Sequence, residues 1–198
     1  AQTPARLTYL PQLDGIRAIA ITMVLLSHLL PYKHRLHEVI HFGRLGVILF
    51  FVLSGFLITR ILLHERESYV SGRADAVSLI TRFFLRRALR IFPVYFLTIG
   101  LLFLLGYEPV ADYLLWHATY LSNFFFPFAE IPAGRVTHLW SLCVEEQFYL
   151  VWPFVIIFSP GRYLRYIIPF IVLSAIAFKA GGLVQGLNWN QVSRPVFG

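Results

Sequence analysis

Apolar residues in this chain gather into long runs separated by short polar clusters. Five runs stand out: Leu13 to Leu30, Leu45 to Leu63, Ala88 to Leu105, Leu139 to Phe158 and Leu164 to Phe178. A membrane-crossing helix needs ~20 mostly apolar residues, so the shorter runs require polar flanks or partner helices. A further stretch, Tyr113 to Phe126, is aromatic but short, and it carries His117, Ser122 and Asn123. It reads as a short span or as a re-entrant segment buried in protein. Between the second and third runs lies a polar link, His64 to Thr81, with Glu65-Arg66-Glu67-Ser68 at its start. No internal repeat or low-complexity tract is evident. The pattern predicts an all-α, polytopic transmembrane bundle of about five to six membrane segments. Residues 1–198 are expected to form a single membrane-embedded domain.

Composition agrees with that picture. Hydrophobic residues make up 58% of the chain and charged residues 14%, against roughly 25% charged in soluble domains. Mean hydropathy is +0.68. The net charge of +7 comes mainly from clustered arginines. In an apolar chain such clusters point to cytoplasmic loops, lipid headgroups or an anionic ligand, and not to nucleic acid. Cys143 stands alone and cannot form an internal disulfide. No charged leader and small-residue cleavage site precede the first run, which is therefore expected to be a retained span.

The arginines also set an orientation. Arg60, Arg66, Arg73, Arg82, Arg86, Arg87 and Arg90 flank or occupy one connection, which the positive-inside rule places in the cytoplasm, together with the amino terminus. Lys33, Arg35 and Arg44 near the first outer loop weaken the bias without reversing it. Arg162 and Arg165 place the end of the fourth run in the cytoplasm as well, provided Tyr113 to Phe126 does not fully span. Glu145 then lies at the depth of His28, in the outer half of the membrane.

Three constellations carry chemistry. Arg17 and His28 are eleven positions apart on the first run, almost three whole turns, so they share a face about 16 Å apart along the axis. Ionisable groups in lipid are expensive and mark functional sites. The second constellation is the stripe Thr137, Ser141, Glu145, Tyr149 and Trp152, with Trp140 beside it. Glu145 next to a histidine gives the orienter-and-base arrangement that abstracts a hydroxyl proton. Glu146 points about 100° away and reads as structural. In the third, Arg82, Arg86 and Arg90 share a helical face and Arg87 lies three residues before Arg90. Like charges that close favour a multivalent anion, and guanidinium forks match phosphate oxygens bidentately. Pro93 follows and interrupts the helical hydrogen bonding. The remaining histidines show no metal-ligand spacing, so no metal site is expected. Ser54-Gly55 reads as a point of close helix packing. No Gly-Xaa-Ser-Xaa-Gly elbow supports a serine hydrolase.

Four ordered blocks resemble the acyltransferase 3 family of integral membrane O-acyltransferases. They are Leu13-Asp14-Gly15-Ile16-Arg17 through His28; Phe50-Phe-Val-Leu-Ser54-Gly55-Phe56-Leu; Arg87-Ala-Leu-Arg90-Ile-Phe-Pro93; and Trp140-Ser141-Leu-Cys-Val-Glu145-Glu146-Gln-Phe-Tyr149. Ile48 stands where the family often has an acidic residue. Family members usually have more spans, so the chain resembles their amino-terminal part, truncated at the carboxyl end. The resemblance implies acyl-coenzyme A, most simply acetyl-coenzyme A, as donor substrate, with no tightly bound cofactor. It implies a hydroxyl of a cell-surface or exported carbohydrate, free or lipid-linked, as acceptor, and a bacterial inner membrane as location. Arg17, Arg86, Arg87 and Arg90 would hold the donor. His28 would be the general base or a covalent acyl carrier, and Glu145 would orient it or help hold the acceptor. Asp14, Trp140, Ser141 and Tyr149 would support the acceptor, with Trp140 stacking on a sugar ring. The alternative is a proton-coupled transporter or flippase in which His28 and Glu145 relay protons. A third reading is a non-catalytic fragment that needs a carboxyl-terminal half.

Overall fold

The structure, a computed structural model, describes residues 8–29, 42–125 and 139–184. Eight helices and no strands occur among these residues: α1 (Pro11–Leu29), α2 (Phe42–Val70), α3 (Ala76–Leu104), α4 (Glu108–Ala111), α5 (Leu114–Ala118), α6 (Ser122–Phe125), α7 (Leu139–Phe158) and α8 (Gly161–Val184). Of these, α2, α3 and α7 are long and apolar enough to cross a membrane. Helices α1 and α8 cover the first and last of the expected runs. Many large apolar side chains face outward, including Leu89 at 76% and Leu104 at 80% exposure, as befits helices solvated by lipid.

The expected polar link is mostly helix. α2 runs on through Glu65-Arg66-Glu67, good helix formers that carry the element beyond the apolar run. It ends where Gly72 adopts φ 68°. There the Gly72 amide donates to the Tyr69 carbonyl at 3.0 Å and the Arg73 amide to the Ser68 carbonyl at 2.9 Å, the Schellman arrangement that favours glycine. α3 restarts at once because Asp75 caps it, its carboxylate accepting from the Ser78 amide at 2.8 Å. Only residues 71–75 remain between the two helices. The arginine cluster thus belongs to the first turns of α3, and that helix continues through Pro93.

The chain forms two compact units, Ala1–Ala74 and Asp75–Gly198. In the first, α1 and α2 pack antiparallel: Gly43 lies against Ser27, Gly46 against Ala20 and Val24, and Arg60 Nη2 donates to the Thr8 carbonyl at 2.8 Å. A Cβ placed on Gly46 would come within 2.7 Å of the Ala20 carbonyl oxygen, so hydrogen at that position is what lets the backbones approach. Of Ser54-Gly55, Ser54 is buried, whereas a Cβ on Gly55 would meet nothing within 4 Å.

In the second unit α3 and α7 also run antiparallel. Phe83 and Phe84 on α3 meet Tyr149 and Phe154 on α7, while Tyr95 and Ile99 share a core with Leu139 and Leu142. The stretch Tyr113 to Phe126 is no single span. Its described part is α5, a turn and α6, and these short helices pack on α3 and α7. Backbone broken in this way is tolerated within an apolar bundle where protein covers it.

Candidate functional site

The antiparallel register of α3 and α7 brings one arginine to the glutamate block. Arg82, Arg86 and Arg90 lie on an exposed face of α3. Arg87, turned about 100° from Arg86, is half-buried. Its guanidinium lies 5.8 Å from the Phe83 ring centroid and 5.3 Å from that of Tyr149, the range of cation–π attraction. The Tyr149 hydroxyl donates to the Glu145 carboxylate one turn earlier, and the Glu146 carboxylate acts electrostatically on Arg87. Cation, ring and carboxylate therefore form one line across the two helices. Trp140 and Ser141 sit partly buried at the start of α7, with Ser141, Glu145 and Tyr149 at four-residue intervals on the same face.

Sequence reasoning passed over the polar bridge next to this line. Gln147 Nε2 donates to the Tyr120 carbonyl and to Asn123 Oδ1, both at 2.8 Å, and Asn123 Nδ2 returns a bond to Gln147 Oε1 at 3.1 Å. The reciprocal amide pair fastens the α5–α6 turn to α7. Two further contacts hold the same segment: the Tyr95 hydroxyl donates to the His117 carbonyl at 2.8 Å, and Ser122 Oγ lies 3.1 Å from Cys143 Sγ. Glu146, read as structural from its angle on the helix, has Oε1 buried with no hydrogen-bond partner among the described residues. The signal available in the sequence was the presence of amides, Asn123 and Gln147, in otherwise aromatic and apolar stretches.

The first unit holds the other predicted residues. Arg17 Nη1 lies 3.9 Å from Asp14 Oδ1, three residues before it on α1, and Asp14 also accepts from the Tyr9 hydroxyl. That bond and the carboxylate's charge hold the Tyr9 phenol above its usual range. The backbone of His28 is helical, which preserves the eleven-residue phase with Arg17; the His28 side chain lies outside what is described, as do Lys33, Arg35 and Thr137. The structure therefore groups Arg87, Glu145, Glu146 and Tyr149 in one unit and Asp14 with Arg17 in the other. A shallow cavity of about 400 Å³ opens at the far end of α3, lined by Leu102, Leu105, Gly106, Tyr107 and Glu108; it contains none of these groups.

The pattern of one family, described as an acyltransferase domain, matches residues 10–193. The chain belongs to the acyltransferase 3 family. The match runs through residues of both units. The peptidoglycan O-acetyltransferase OatA of Listeria monocytogenes is 31% identical over 198 aligned residues, covering 85% of this chain and 28% of that protein. The O-acetyltransferase OatA of Staphylococcus aureus is 34% identical over 168 residues, 78% of this chain and 26% of the relative. The chain thus spans little more than a quarter of the length of the curated relatives it matches. No solved structure matches it. With three helices apolar enough to cross a bilayer, this acyltransferase domain is a membrane protein.

Proposed function

We propose that this domain moves an acetyl group from cytoplasmic acetyl-coenzyme A to a hydroxyl of a cell-wall carbohydrate in a bacterial inner membrane, with its amino terminus in the cytoplasm. The observation that carries the reading is the line Arg87–Tyr149–Glu145, which joins a cationic helix end to a carboxylate inside an apolar bundle. Arg86, Arg87 and Arg90 hold the donor's phosphates through guanidinium forks, with Arg17 a further cation for the donor. Glu145, fixed by Tyr149, helps to hold the acceptor, and Trp140 offers an indole face to a sugar ring. His28 takes the proton of the acceptor hydroxyl as its oxygen attacks the thioester carbonyl; the carbon–sulfur bond breaks, and the coenzyme thiolate leaves and takes up a proton. If His28 first carries the acetyl group itself, an acetyl-imidazole accumulates when acceptor is withheld.

The test uses the full-length protein in liposomes with labelled acetyl-coenzyme A and a glycan acceptor. Thioester consumed in step with acetylated glycan is the expected result; a protein that moves substrate without consuming thioester overturns it. Calorimetric titration with coenzyme A assigns the donor site. Arg90→Lys should bind about tenfold more weakly, because a point charge cannot reproduce the fork, whereas His28→Ala should bind coenzyme A like wild type and lose transfer. Arg87→Ala and Arg90→Ala proteins with unchanged coenzyme A affinity would reduce the cluster to a topology signal.

A further inference from the structure

Among the described residues, three helices end in the same backbone motif, and one of them uses the wrong residue. After α2, α3 and α5 the chain turns through a left-handed position, at Gly72 (φ 68°), Gly106 (φ 66°) and Tyr120 (φ 55°). Each turn carries the same pair of bonds. Gly72 donates to Tyr69 and Arg73 to Ser68; Gly106 donates to Phe103 and Tyr107 to Leu102; Tyr120 donates to His117 and Leu121 to Trp116, all between 2.9 and 3.1 Å. Glycine adopts this conformation without steric cost, whereas an aromatic residue strains against its own Cβ. Strain of this kind persists only where the surroundings over-determine it, and such places gather at functional sites.

The surroundings do over-determine Tyr120. Its ring stacks on Tyr95 with centroids 4.3 Å apart and on Phe92 at 5.8 Å. Its carbonyl accepts from Gln147 at 2.8 Å. Yet its hydroxyl, the one atom that distinguishes it from phenylalanine, is buried with no hydrogen-bond partner among the described residues. Glu146 Oε1 is in the same condition, on the residue next to Gln147, whose amide bonds the Tyr120 carbonyl at 2.8 Å. Two buried orphans in one place call for a ligand. A carboxylate oxygen only accepts, and a phenol donates readily. The group that completes both is one that donates and accepts through a single atom, as a water or an alcohol does, and a carbohydrate acceptor supplies the alcohol.

We propose that Tyr120 and Glu146 form the subsite that holds a hydroxyl of the carbohydrate acceptor, the phenol donating to the hydroxyl oxygen and the hydroxyl donating to Glu146. The inference rests on the acceptor assigned under the proposed function. Tyr120 is a binding residue whose aromatic stack and Gln147 bond fix the phenol in place, which explains why the turn keeps a tyrosine where its two counterparts have glycine.

The test measures binding and transfer separately, on the full-length protein in detergent with an N-acetylglucosamine tetrasaccharide as probe. Tyr120→Phe retains the stack and removes only the unpartnered oxygen, so it should melt at or above the wild-type temperature. It should bind the tetrasaccharide about tenfold more weakly, the worth of one hydrogen bond to a buried partner, and bind coenzyme A unchanged. Glu146→Gln should show the same split. Wild-type affinity for the tetrasaccharide in both variants, or no binding by the wild type, overturns the subsite. Loss of coenzyme A binding and melting temperature together would make the pair structural and overturn it too. Tyrosine-dependent sugar binding without acetyl transfer would instead leave the subsite standing and remove the acetyltransferase reading.

Discussion

On α1, Asp14 and Arg17 answer each other within one turn of the same helix; on α7, Glu145 likewise binds Tyr149 one turn on, but Glu146 and Gln147 look outward to an arginine and a broken segment. The difference separates two ways of keeping polar groups in apolar surroundings. The α1 pair is partly exposed, at 28% and 51% of side-chain area, and contributes little because water and lipid headgroups compete for it. On α7 the bonds of Gln147 cross to another element, so they also fix a tertiary position. The Glu145–Tyr149 bond stays within the helix and reaches α3 through the Tyr149 ring and Arg87. What holds α1 to α2 is the close approach of backbone at Gly43 and Gly46. What holds α5 and α6 to α7 is polar. The first arrangement tolerates charge substitutions and resists added volume, and the second should do the reverse.

The largest effect should follow from cutting the amide bridge. Gln147→Leu removes the partner of the Asn123 amide and of the Tyr120 carbonyl together. Two partly buried groups left unsatisfied cost about 2–3 kcal/mol. The melting temperature of the detergent-solubilised protein should fall by roughly 5–10 °C, with protease cutting appearing in residues 112–123. A change under about 1 °C would mean that the bridge does not anchor the segment.

Next comes volume at the first hairpin. Gly46→Ala forces a methyl against the Ala20 carbonyl and Val24 and should cost about 1–3 kcal/mol. Gly55→Ala, in open space on the same helix, should be neutral or stabilising by up to about 1 kcal/mol through helix propensity. Equal effects at the two positions would dissolve the distinction between the packed and open faces of α2. Asp14→Asn belongs a step lower, with an expected stability change below about 0.5 kcal/mol. If it nonetheless lowers acetyl transfer, Asp14 acts by positioning Arg17 and not by stabilising α1.

Sequence and structure diverge in an instructive way along this comparison. The apolar runs give the helices, and the phase of Arg17 with His28 survives because α1 is unbroken between them. The Glu145–Tyr149 contact follows from a spacing of four on one helix, as the stripe predicts. Helix ends were harder to read, since a Glu-Arg-Glu run continues α2 while looking like a linker. Tyr120 was invisible because its importance arises from a left-handed turn, and no sequence rule assigns that conformation to tyrosine. For Glu146, a helical-wheel argument counts only the neighbours on its own helix. Its surroundings come from Tyr120 and Arg87, both distant in sequence.

The smallest effect sits at the junction of α2 and α3 and depends on pH. The Ser78 amide donates to the Asp75 carboxylate, and this bond holds the Asp75 carboxyl below its usual value. A carboxyl depressed in the folded state stabilises it fully above the ordinary pKa of about 3.9, and that contribution disappears as pH falls from there through the native value. Asp75 is fully exposed, so the cap acts locally on the first turn of α3 and leaves the bundle intact. Hydrogen exchange at the amides of residues 76–79, corrected for intrinsic rates, should therefore accelerate as pH falls below about 4. Asp75→Asn retains a capping side chain without the charge and should exchange evenly across that window. Acceleration of the same size in the Asn protein would assign the acid sensitivity to another group and leave Asp75 as a neutral cap. A flat wild-type profile would show that the first turn of α3, and with it the arginine face that follows, is fixed by packing alone.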